Sequence, residues 1–345
     1  MSVGKVNLAD GLSLLRHLLE RAESAEGGAG WFDTLAATTL KPGERAVMAV
    51  LNAVDGGAEA GLPLIEQRGG ALRALTAPYT TRYSPPLGNP DAAESLGRGL
   101  RLLVPNRLTL DALDPADLAI TALLRGIRAG GLLAAGYRNF ANWHDRFADF
   151  DSYWSERPSE LKEVVRRKAK RLERDGRLRF SCFTDVADMP GATAIYETIY
   201  AQSWKEPEPD PAFIGTMLRA LAADGITRVG IAHIDGVAVA AQIWLVRHRH
   251  ATIFKLAHIS GQDKNSPGTL LSHWLMRRLA EIDAIETIDF GRGNDPYKQQ
   301  WMKLCRDRTG LLIANPRTLG GLGTAFRHIW PMQLRERLKG GARGA

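Results

Sequence analysis

Residues 226–259 read ITRVGIAHIDGVAVAAQIWLVRHRHATIFKLAHI, and this stretch decides the fold of the second half of the chain. Apolar residues alternate with other residues over Ile226–Ile234, which predicts a strand. Asp235-Gly236 is a dipeptide typical of two-residue hairpin turns, and the apolar run Val237–Val246 follows it. A third strand is predicted after the basic turn Arg247–His250. The stretch therefore indicates three consecutive strands, the first two joined as a hairpin.

Helices and strands also alternate around these three strands. Asp224-Gly225 ends a predicted helix before them, and the polar loop Ser260–Gly268 leads from them into another helix. This alternation predicts an α/β domain in which a mixed central sheet is flanked by helices. The other predicted elements of this half are the helices Gly191–Ser203, Pro211–Ala223, Thr269–Ile282 and Pro296–Lys303, and the strands Thr252–Ile259, Thr287–Phe290 and Arg308–Ala314.

The first half of the chain shows the same alternation and is also predicted to be α/β. Ahead of it, leucines at helical spacing from Leu8 to Leu19 predict an amphipathic helix. The stretch Pro78–Pro90 is rich in proline, tyrosine and glycine and predicts a loop. The predicted strands are Ala46–Val54, Leu62–Glu66, Leu72–Leu75, Leu100–Val104 and Leu132–Ala135, and the predicted helices are Asp91–Gly99 and Ala116–Gly130.

A long basic helix is predicted between the two halves, over Ser152–Gly176. One apolar stripe runs along it from Leu161 to Leu172, and nine lysines and arginines lie in Lys162–Arg179. Such a charge run is most often a solvated face. The alternative, a set of phosphate contacts to RNA, is implied by the family resemblance described below. The helix has no aromatic residues interleaved for base stacking, so sequence-specific nucleic-acid binding is not expected.

Composition limits the class of protein. The chain has 345 residues, of which 45% are hydrophobic and 24% charged, enough for about two globular domains. Its apolar runs are too short to span a membrane and its first residues are not a secretory signal, so we expect a cytoplasmic protein without an integral membrane segment. Cys182 and Cys305 are far apart in sequence, which predicts neither a disulfide nor a metal site. The net charge of +7 favours an anionic partner: nucleic acid, the phosphates of CoA, or an anionic membrane surface.

Three short motifs resemble one known family. The run Asp289–Lys298, DFGRGNDPYK, resembles the D-F-G-x-G-x-x-x-Y-K signature of CelD-like acetyltransferases, which are associated with cellulose or exopolysaccharide biosynthesis. Ser266–Leu271, SPGTLL, is similar to the S-P-G-x-L-L junction of that family, and Tyr153–Ser159 resembles its linker. The order of elements in the second half is also similar to that of a GNAT (N-acetyltransferase-like) domain. The resemblance covers roughly Trp31–Ala314.

The resemblance implies an architecture as well as an activity. CelD-like proteins are related to FemAB-type aminoacyl transferases, which implies an α/β fold with tandem GNAT-like domains, the first of them degenerate. The predicted segments are residues 1–29 as an N-terminal helix or extension, 30–150 as the degenerate domain, 151–180 as a basic linker helix, 181–318 as the acyltransferase domain and 319–345 as a C-terminal tail.

The loop–helix junction at Ser266–Thr269 is the candidate binding site for the donor. Unpaired amides and the positive end of a helix dipole converge there, which suits a pyrophosphate. The predicted ligands are Ser266, Gly268, Thr269 and Leu270, with acetyl-CoA or another acyl-CoA as co-substrate and no metal. An ordinary helix start with a proline near its first position is the alternative. The loop departs from the common GNAT pattern Gln/Arg-x-x-Gly-x-Gly/Ala, which leaves CoA as the donor in doubt.

Tyr297 is the candidate general acid. The resemblance implies that a tyrosine at this place protonates the leaving thiolate, and the pKa of a phenol, about 10, is close enough to that of a thiol for the transfer. A packing tyrosine is the alternative. Arg292 and Lys298 in the same motif are predicted to hold phosphates or to form a solvated rim.

The general base and the acceptor site are predicted less directly. His258 ends a predicted strand, and because histidine is a common acid–base residue at neutral pH it is the first choice of base. Asp289 at the end of the next strand is the second. Trp204, Gln242 and Lys255 are predicted to bind the acceptor. The alternatives are structural: a strand-end histidine, a core tryptophan, and a glutamine that satisfies a buried group.

Three functions remain open from the sequence. The first is transfer of an acetyl or longer acyl group from a thioester to an amine or a sugar hydroxyl by direct attack, with a small molecule or saccharide as acceptor and a place in exopolysaccharide or cell-envelope biosynthesis. The second is a FemAB-like transferase that uses aminoacyl-tRNA and therefore binds RNA in a salt-dependent way. The third is a catalytically inactive scaffold, against which Tyr297 and the intact glycines argue.

Overall fold

A computed structural model describes residues 5–53 and 57–341, the last six of these by their backbone alone. The chain divides into two compact units. Unit 1 consists of residues 1–22, 26–140 and 307–345, and unit 2 of residues 23–25 and 141–306.

The strands in chain order are β1 (Val6–Asp10), β2 (Arg45–Asn52), β3 (Ala58–Glu66), β4 (Leu72–Ala74), β5 (Arg107–Leu113), β6 (Leu133–Arg146), β7 (Leu178–Phe183), β8 (Thr227–Ile234), β9 (Val237–Arg247), β10 (His250–His258), β11 (Thr287–Asp289) and β12 (Leu304–Ala314). The α-helices are α1 (Arg16–Leu19), α2 (Ala29–Thr38), α3 (Pro90–Gly99), α4 (Leu118–Ala129), α5 (Phe150–Ser155), α6 (Ser159–Arg174), α7 (Met189–Ala201), α8 (Pro211–Ala223), α9 (Pro267–Ile282), α10 (Pro296–Trp301), α11 (Leu319–Thr324) and α12 (Trp330–Gly341).

Unit 1 is built on a mixed sheet with strand order β1-β2-β3-β4-β5-β12. The pairs are antiparallel except for β4 and β5, which run parallel. Apolar side chains of β2 and β3 are buried, and the helices α2, α3 and α4 supply further buried apolar residues.

Unit 2 is built on a second mixed sheet, with strand order β11-β10-β9-β8-β7. The strands β7 to β10 pair antiparallel, β10 and β11 pair parallel, and the last residues of β6 pair antiparallel with β11. Its core joins strand residues such as Trp244 to α9 and α10 residues such as Leu275 and Trp301. Each unit is thus a mixed sheet flanked by helices, and the predicted α/β class is confirmed.

The hairpin that decides the fold of unit 2 is present as predicted. Asp235 and Gly236 have φ values of 55° and 79°, which is the left-handed pair that a tight two-residue hairpin turn requires. A second such turn, His248-Arg249, joins β9 to β10 with φ values of 46° and 64°. The predicted helices and strands of the second half are all found, with bounds shifted by a few residues.

Several predicted elements are wrong. The amphipathic helix expected from Leu8 to Leu19 begins instead with β1, and only Arg16–Leu19 is α-helical. Leu100–Leu102 is a short 3-10 turn rather than a strand. The single long helix is two, α5 and α6, because Pro158 cannot continue a helix and favours a start. The predicted strand end Val54 and the tail residues 342–345 lie outside the described residues.

The helices α3 and α4 of unit 1 cross at two glycines. A Cβ added at Gly97 would lie 2.4 Å from the Leu123 carbonyl oxygen, and one added at Gly126 would lie 2.0 Å from the Glu94 carbonyl oxygen. The obstacle in each case is backbone, so the helices themselves would have to separate.

We predict that Gly97→Ala and Gly126→Ala each destabilise unit 1 by about 3 kcal/mol, which lowers its thermal midpoint by roughly 6–12 °C. The matched control is Gly323→Ala in α11, where an added Cβ meets nothing within 4 Å. That control is expected to raise the midpoint slightly, since alanine favours helix by about 1 kcal/mol over glycine. Circular dichroism during heating measures both, and equal midpoints for all three variants would contradict the close crossing.

Candidate active site

The strands β10 and β11 run side by side for only three residue pairs. Their parallel register extends from His250 paired with Thr287 to Thr252 paired with Asp289, where β11 ends. Strand β10 continues for six more residues to His258, and a bulge interrupts its pairing with β9 between Ile253 and Lys255. The edge of β10 beyond Thr252 is therefore a place where an extended ligand can lie against the sheet.

The first turn of α9 lies beside the end of β10. Ser266 precedes the helix with a left-handed φ of 51°, and Pro267 takes the first helical position. The Leu270 amide, one of the predicted donor ligands, bonds to the Ser266 carbonyl at 3.1 Å. The amides of Gly268 and Thr269 belong to the first turn, where a helix offers no carbonyl to receive them.

The loop before α9 is fastened by the basic helix α6. Arg171 donates to the Asn265 side-chain oxygen at 2.7 Å, and Lys168 donates to the Lys264 carbonyl. Asn265 is buried and donates in turn to Gln262 at 2.9 Å. Two cations of α6 thus fix the position of the loop, so this helix is more than a solvated face.

Tyr297 lies on the first turn of α10 and reaches the first turns of α9. Burial raises the pKa of its phenol, and the nearby Ser272, Thr269 and Trp301 side chains offset part of that rise. Its ring packs on Phe290 and Trp301, with centroids 6.0 and 6.1 Å away. The tyrosine therefore packs against the core beside the first turns of α9, which form the candidate donor site.

Gln242 on β9 is fully buried and is hydrogen-bonded to the first two turns of α9. Its amide nitrogen donates to the Gly268 carbonyl at 2.9 Å and to the Ser272 hydroxyl at 2.8 Å. Its oxygen accepts from the Trp244 indole at 2.8 Å. These contacts correspond to the structural alternative for Gln242, that of satisfying buried polar groups.

His258 lies at the rim of the site, where Trp204 covers it. The two ring centroids are 4.5 Å apart, and His258 Nε2 is 3.1 Å from the Asp263 carboxylate. A Cβ added at Gly268 would come to 3.5 Å from His258 Nδ1, so the histidine also borders the first turn of α9. The structure therefore brings together His258, predicted as the base, Gly268, predicted to bind the donor, and Trp204, predicted to bind the acceptor.

Lys255 on β10 forms an ion pair that the sequence did not reveal. Its ammonium is 2.7 and 2.8 Å from the two carboxylate oxygens of Glu208. Lys205 lies 5.7 Å from the Trp204 ring centroid, and burial together with the charge of Lys255 lowers its pKa. Glu208 follows α7 in a loop, so no local pattern indicates its partner 47 residues away.

Asp289 lies away from His258. Its carboxylate is 3.0 Å from His250 Nε2 and accepts from the Gly291 amide at 2.9 Å. It pairs with Thr252, and the six residues from there to His258 span about 20 Å of strand. The two candidate bases therefore do not form one pair, and His250, which the sequence analysis missed, is the histidine beside Asp289.

Lys298 and Arg292 belong to the loop that carries the DFGRGNDPYK motif. The Lys298 ammonium donates to the Arg292 carbonyl and lies 3.3 Å from the Asp295 carboxylate. Burial lowers the pKa of Lys298, and the Asp295 charge opposes that effect. Gly293 has a φ of 108°, which glycine tolerates best. The lysine thus closes the loop on itself, while the Arg292 side chain is exposed.

Comparison with known proteins identifies the kind of fold. A family model for the acetyltransferase (GNAT) domain matches residues 159–299. No curated protein matches the chain. Among solved structures, FemX is 10% identical with a TM-score of 0.62, and 89% of this chain and 96% of that chain are covered.

Two further solved structures are also similar to the chain. L-PGS from Bacillus licheniformis is 13% identical with a TM-score of 0.56, covering 98% of this chain and 99% of that chain. The C-terminal domain of a putative lysylphosphatidylglycerol synthetase from Agrobacterium fabrum is 14% identical with a TM-score of 0.55, covering 91% and 96%. At these identities the likeness shows the fold.

These findings confirm the predicted α/β fold. The family match over residues 159–299 supports a transferase domain of the GNAT type in that stretch of the chain. Within the described ranges, no helix is long and apolar enough to cross a membrane. The same residues contain no group of three or more histidine, cysteine or acidic side chains arranged to hold a metal.

We predict that Gln242→Leu destabilises unit 2 by about 3 kcal/mol, because it leaves the Trp244 indole and the Gly268 carbonyl without their partner in the core. Gln202→Leu is the control, since that exposed amide makes one contact of 3.3 Å to the Thr198 carbonyl and its loss is expected to cost under about 0.5 kcal/mol. Urea unfolding followed by tryptophan fluorescence measures both. Equal midpoints for the two variants would show that Gln242 does not hold α9.

Proposed function

We propose that unit 2 transfers an acetyl or longer acyl group from acyl-CoA to an amine or a sugar hydroxyl by direct attack. One observation carries the proposal: Tyr297, in the first turn of α10, lies close enough to the Thr269 and Ser272 side chains in the first turns of α9 for them to lower its pKa, and the positive end of that helix favours a phosphate. The proposed general acid, Tyr297, and the candidate anion site at the start of α9 are therefore adjacent. The resemblance of the motifs to CelD-like enzymes makes a saccharide of exopolysaccharide or cell-envelope biosynthesis the first acceptor to test.

The first turn of α9 would bind the pyrophosphate of the donor. The amides of Gly268 and Thr269 supply donors, and Ser266, whose hydroxyl donates to the Asp263 carbonyl at 3.2 Å, directly precedes the helix. A Cβ at Gly268 would meet only ordinary van der Waals contact with His258, so the protein's own packing does not require glycine there. A ligand that approaches the backbone closely would explain why a glycine occupies position 268. Arg292 would supply a further cation from the exposed rim.

The acyl carbonyl would lie along β10 beyond Thr252, where a backbone amide can stabilise the developing oxyanion. The acceptor nitrogen or oxygen attacks the carbonyl carbon, and the bond from that carbon to the donor sulfur breaks. The raised pKa of Tyr297 keeps its phenol protonated, so it can pass its proton to the leaving thiolate. The proton of the acceptor goes to His258 or through water, and proton exchange with solvent restores both groups.

The acceptor would enter over Trp204 and Lys255. Trp204 offers an exposed ring above His258, and the Lys255–Glu208 pair presents both a cation and a carboxylate nearby. Asp289 and Lys298 serve this scheme indirectly, since both fix the loop that leads to Tyr297. In this assignment His258 is the base, and Asp289 and Gln242 are positioning residues.

An aminoacyl-tRNA donor is the second candidate, and a groove beside α6 favours it. Four cations of α6 repeat every fourth residue from Lys162 to Arg174 along a groove of 590 Å³. Trp154 and His273 line the same groove, with centroids 4.5 Å apart. Burial and the charge of Arg277 lower the pKa of His273 to about 4, so its ring is neutral near pH 7.

The groove adds the aromatic side chains that the α6 sequence itself lacks. Aromatic rings beside a row of cations can stack a base while the cations contact phosphates. The rings come from α5 and α9, so no inspection of α6 alone finds them. The likeness to FemX and to the putative lysylphosphatidylglycerol synthetase domain also supports the transfer of an aminoacyl group.

We predict that Tyr297→Phe lowers turnover about ten- to a thousandfold and leaves donor affinity within about twofold, because the ring still packs while the proton is lost. Initial rates at saturating donor, with the product measured by mass spectrometry, test this. The control is Tyr200→Phe, whose hydroxyl donates to the Glu206 carbonyl outside the proposed proton path. Unchanged turnover in Tyr297→Phe would remove Tyr297 from the acid role.

We predict that acetyl-CoA or a long-chain acyl-CoA raises the thermal midpoint of the whole chain by mass action, while deacylated tRNA does not. Stabilisation by tRNA alone, falling steeply with salt, would replace the first candidate by the second. In that case Lys170→Gln with Arg166→Gln would weaken the tRNA effect. No shift with either class of donor would favour the inactive scaffold.

A further inference from the structure

The C-terminal segment of unit 1 carries an exposed apolar stripe. The segment runs from α11 through a π-helical stretch, Ala325–Ile329, into α12, and the members of the stripe recur in it every third or fourth residue. This spacing is about one helical turn, which keeps them near one side of the segment. Their exposed fractions are 90% for Leu319, 42% for Leu322, 71% for Phe326, 46% for Trp330 and 59% for Leu334. We call these five residues the C-terminal apolar face. Single exposed leucines are ordinary on protein surfaces, but a continuous stripe with two aromatic rings is not.

The other side of the same segment is firmly docked in unit 1. Ala325 and Ile329 are fully buried and pack in a cluster with Ala135 and Ala314. A Cβ at Gly321 would lie 1.8 Å from the Asn315 carbonyl oxygen, so the first turn touches the backbone beneath it. The exposed stripe is therefore not the inner face of a detached helix. The helix already has its core contacts, and the stripe is a second apolar surface.

The beginning of the segment is fixed as well. The Thr318 hydroxyl accepts from the Gly321 amide at 3.1 Å and caps α11. Further along, Gln333 donates to the Ala134 carbonyl at 3.2 Å. These contacts at both ends hold the Phe326 and Trp330 rings, which meet edge to face at 6.1 Å, on the outer side.

Positive charge accompanies the stripe. The sequence from residue 317 to the last residue contains one acidic residue, Glu336, and six basic residues: Arg317, Arg327, Arg335, Arg337, Lys339 and Arg343. Arg317, Arg327 and Arg335 are exposed, and among the side chains that the structure describes none of the three has a carboxylate partner. The surface around the apolar face is therefore cationic and uncompensated.

We propose that the C-terminal apolar face lies in the interfacial layer of an anionic phospholipid membrane. Leucine, phenylalanine and tryptophan on one face with arginine and lysine beside it is the composition of a helix that lies in the membrane plane. Tryptophan rings favour the headgroup level, and cations beside them attract anionic headgroups. A protein partner would explain the apolar stripe but not the one-sided charge. The segment lies on the membrane and does not cross it.

The test uses the full chain and sedimentation with large vesicles. Vesicles of phosphatidylglycerol and phosphatidylcholine in equal parts are expected to bind the protein, with vesicles of phosphatidylcholine alone binding at least tenfold less. The double variant Phe326→Ser with Trp330→Ser is expected to lose at least tenfold in partitioning. Its control is Leu102→Ser with Leu118→Ser, which removes two leucines of unit 1 that are each 73% exposed but lie outside the stripe. That control is expected to bind like the wild type.

A second measurement guards against misfolding of the double variant. Brominated phosphatidylglycerol is expected to quench part of the tryptophan fluorescence, and Trp330→Phe, which keeps an aromatic ring, is expected to bind vesicles but lose that quenched part. Failure of the wild type to bind anionic vesicles would overturn the proposal. So would a dimer in light scattering that Phe326→Ser with Trp330→Ser converts to monomers, because the stripe would then cover a second copy. Neither result bears on the acyl transfer proposed for unit 2.

Discussion

One buried amide, that of Gln242, is the contact on which the geometry of the candidate site depends. It ties the middle of β9 to the first two turns of α9, with hydrogen bonds of 2.9 and 2.8 Å to Gly268 and Ser272. Ser272 in turn lies near the Tyr297 phenol and lowers its pKa. Because a buried amide left without partners is costly, the glutamine fixes the depth and direction of the helix end. The proposed acid and the proposed donor site are positioned through that one side chain.

Charged side chains hold the loops of the site, although their sequence pattern indicated ligand binding or solvation. Lys298 closes the motif loop on the Arg292 carbonyl, and Lys168 and Arg171 of α6 fasten the loop before α9. Partly buried cations that bond to backbone or amide oxygens satisfy groups that irregular loops would otherwise leave unpaired. These cations therefore hold the irregular loops of the candidate site in place.

The sequence predicted the second half well because its signals are local. The Asp235-Gly236 turn, the alternating strands around it and the helices after it are each specified within a few residues. Strand β7 was missed because its side chains are only partly buried, and β1 was mistaken for helix because leucines at positions 8 to 19 satisfy a helical spacing by chance. Contacts across many residues decide such cases, and no local pattern carries them.

The candidate site shows the same contrast between local signals and contacts that are distant in sequence. The motif around Tyr297 and the junction before α9 are contiguous in sequence, and the structure places them in contact. The partners of the other candidates are distant: His250 for Asp289 and Glu208 for Lys255 come from other elements.

The net charge of +7 shows most clearly what the sequence alone leaves open, because the total charge is compatible with three kinds of anionic partner. Its excess is concentrated on α6, beside two aromatic rings, and on the C-terminal segment, beside an apolar stripe. Charge beside stacking rings favours a nucleotide, whereas charge beside leucine and tryptophan favours a lipid surface, so the neighbours of the charge, rather than its amount, distinguish the partners.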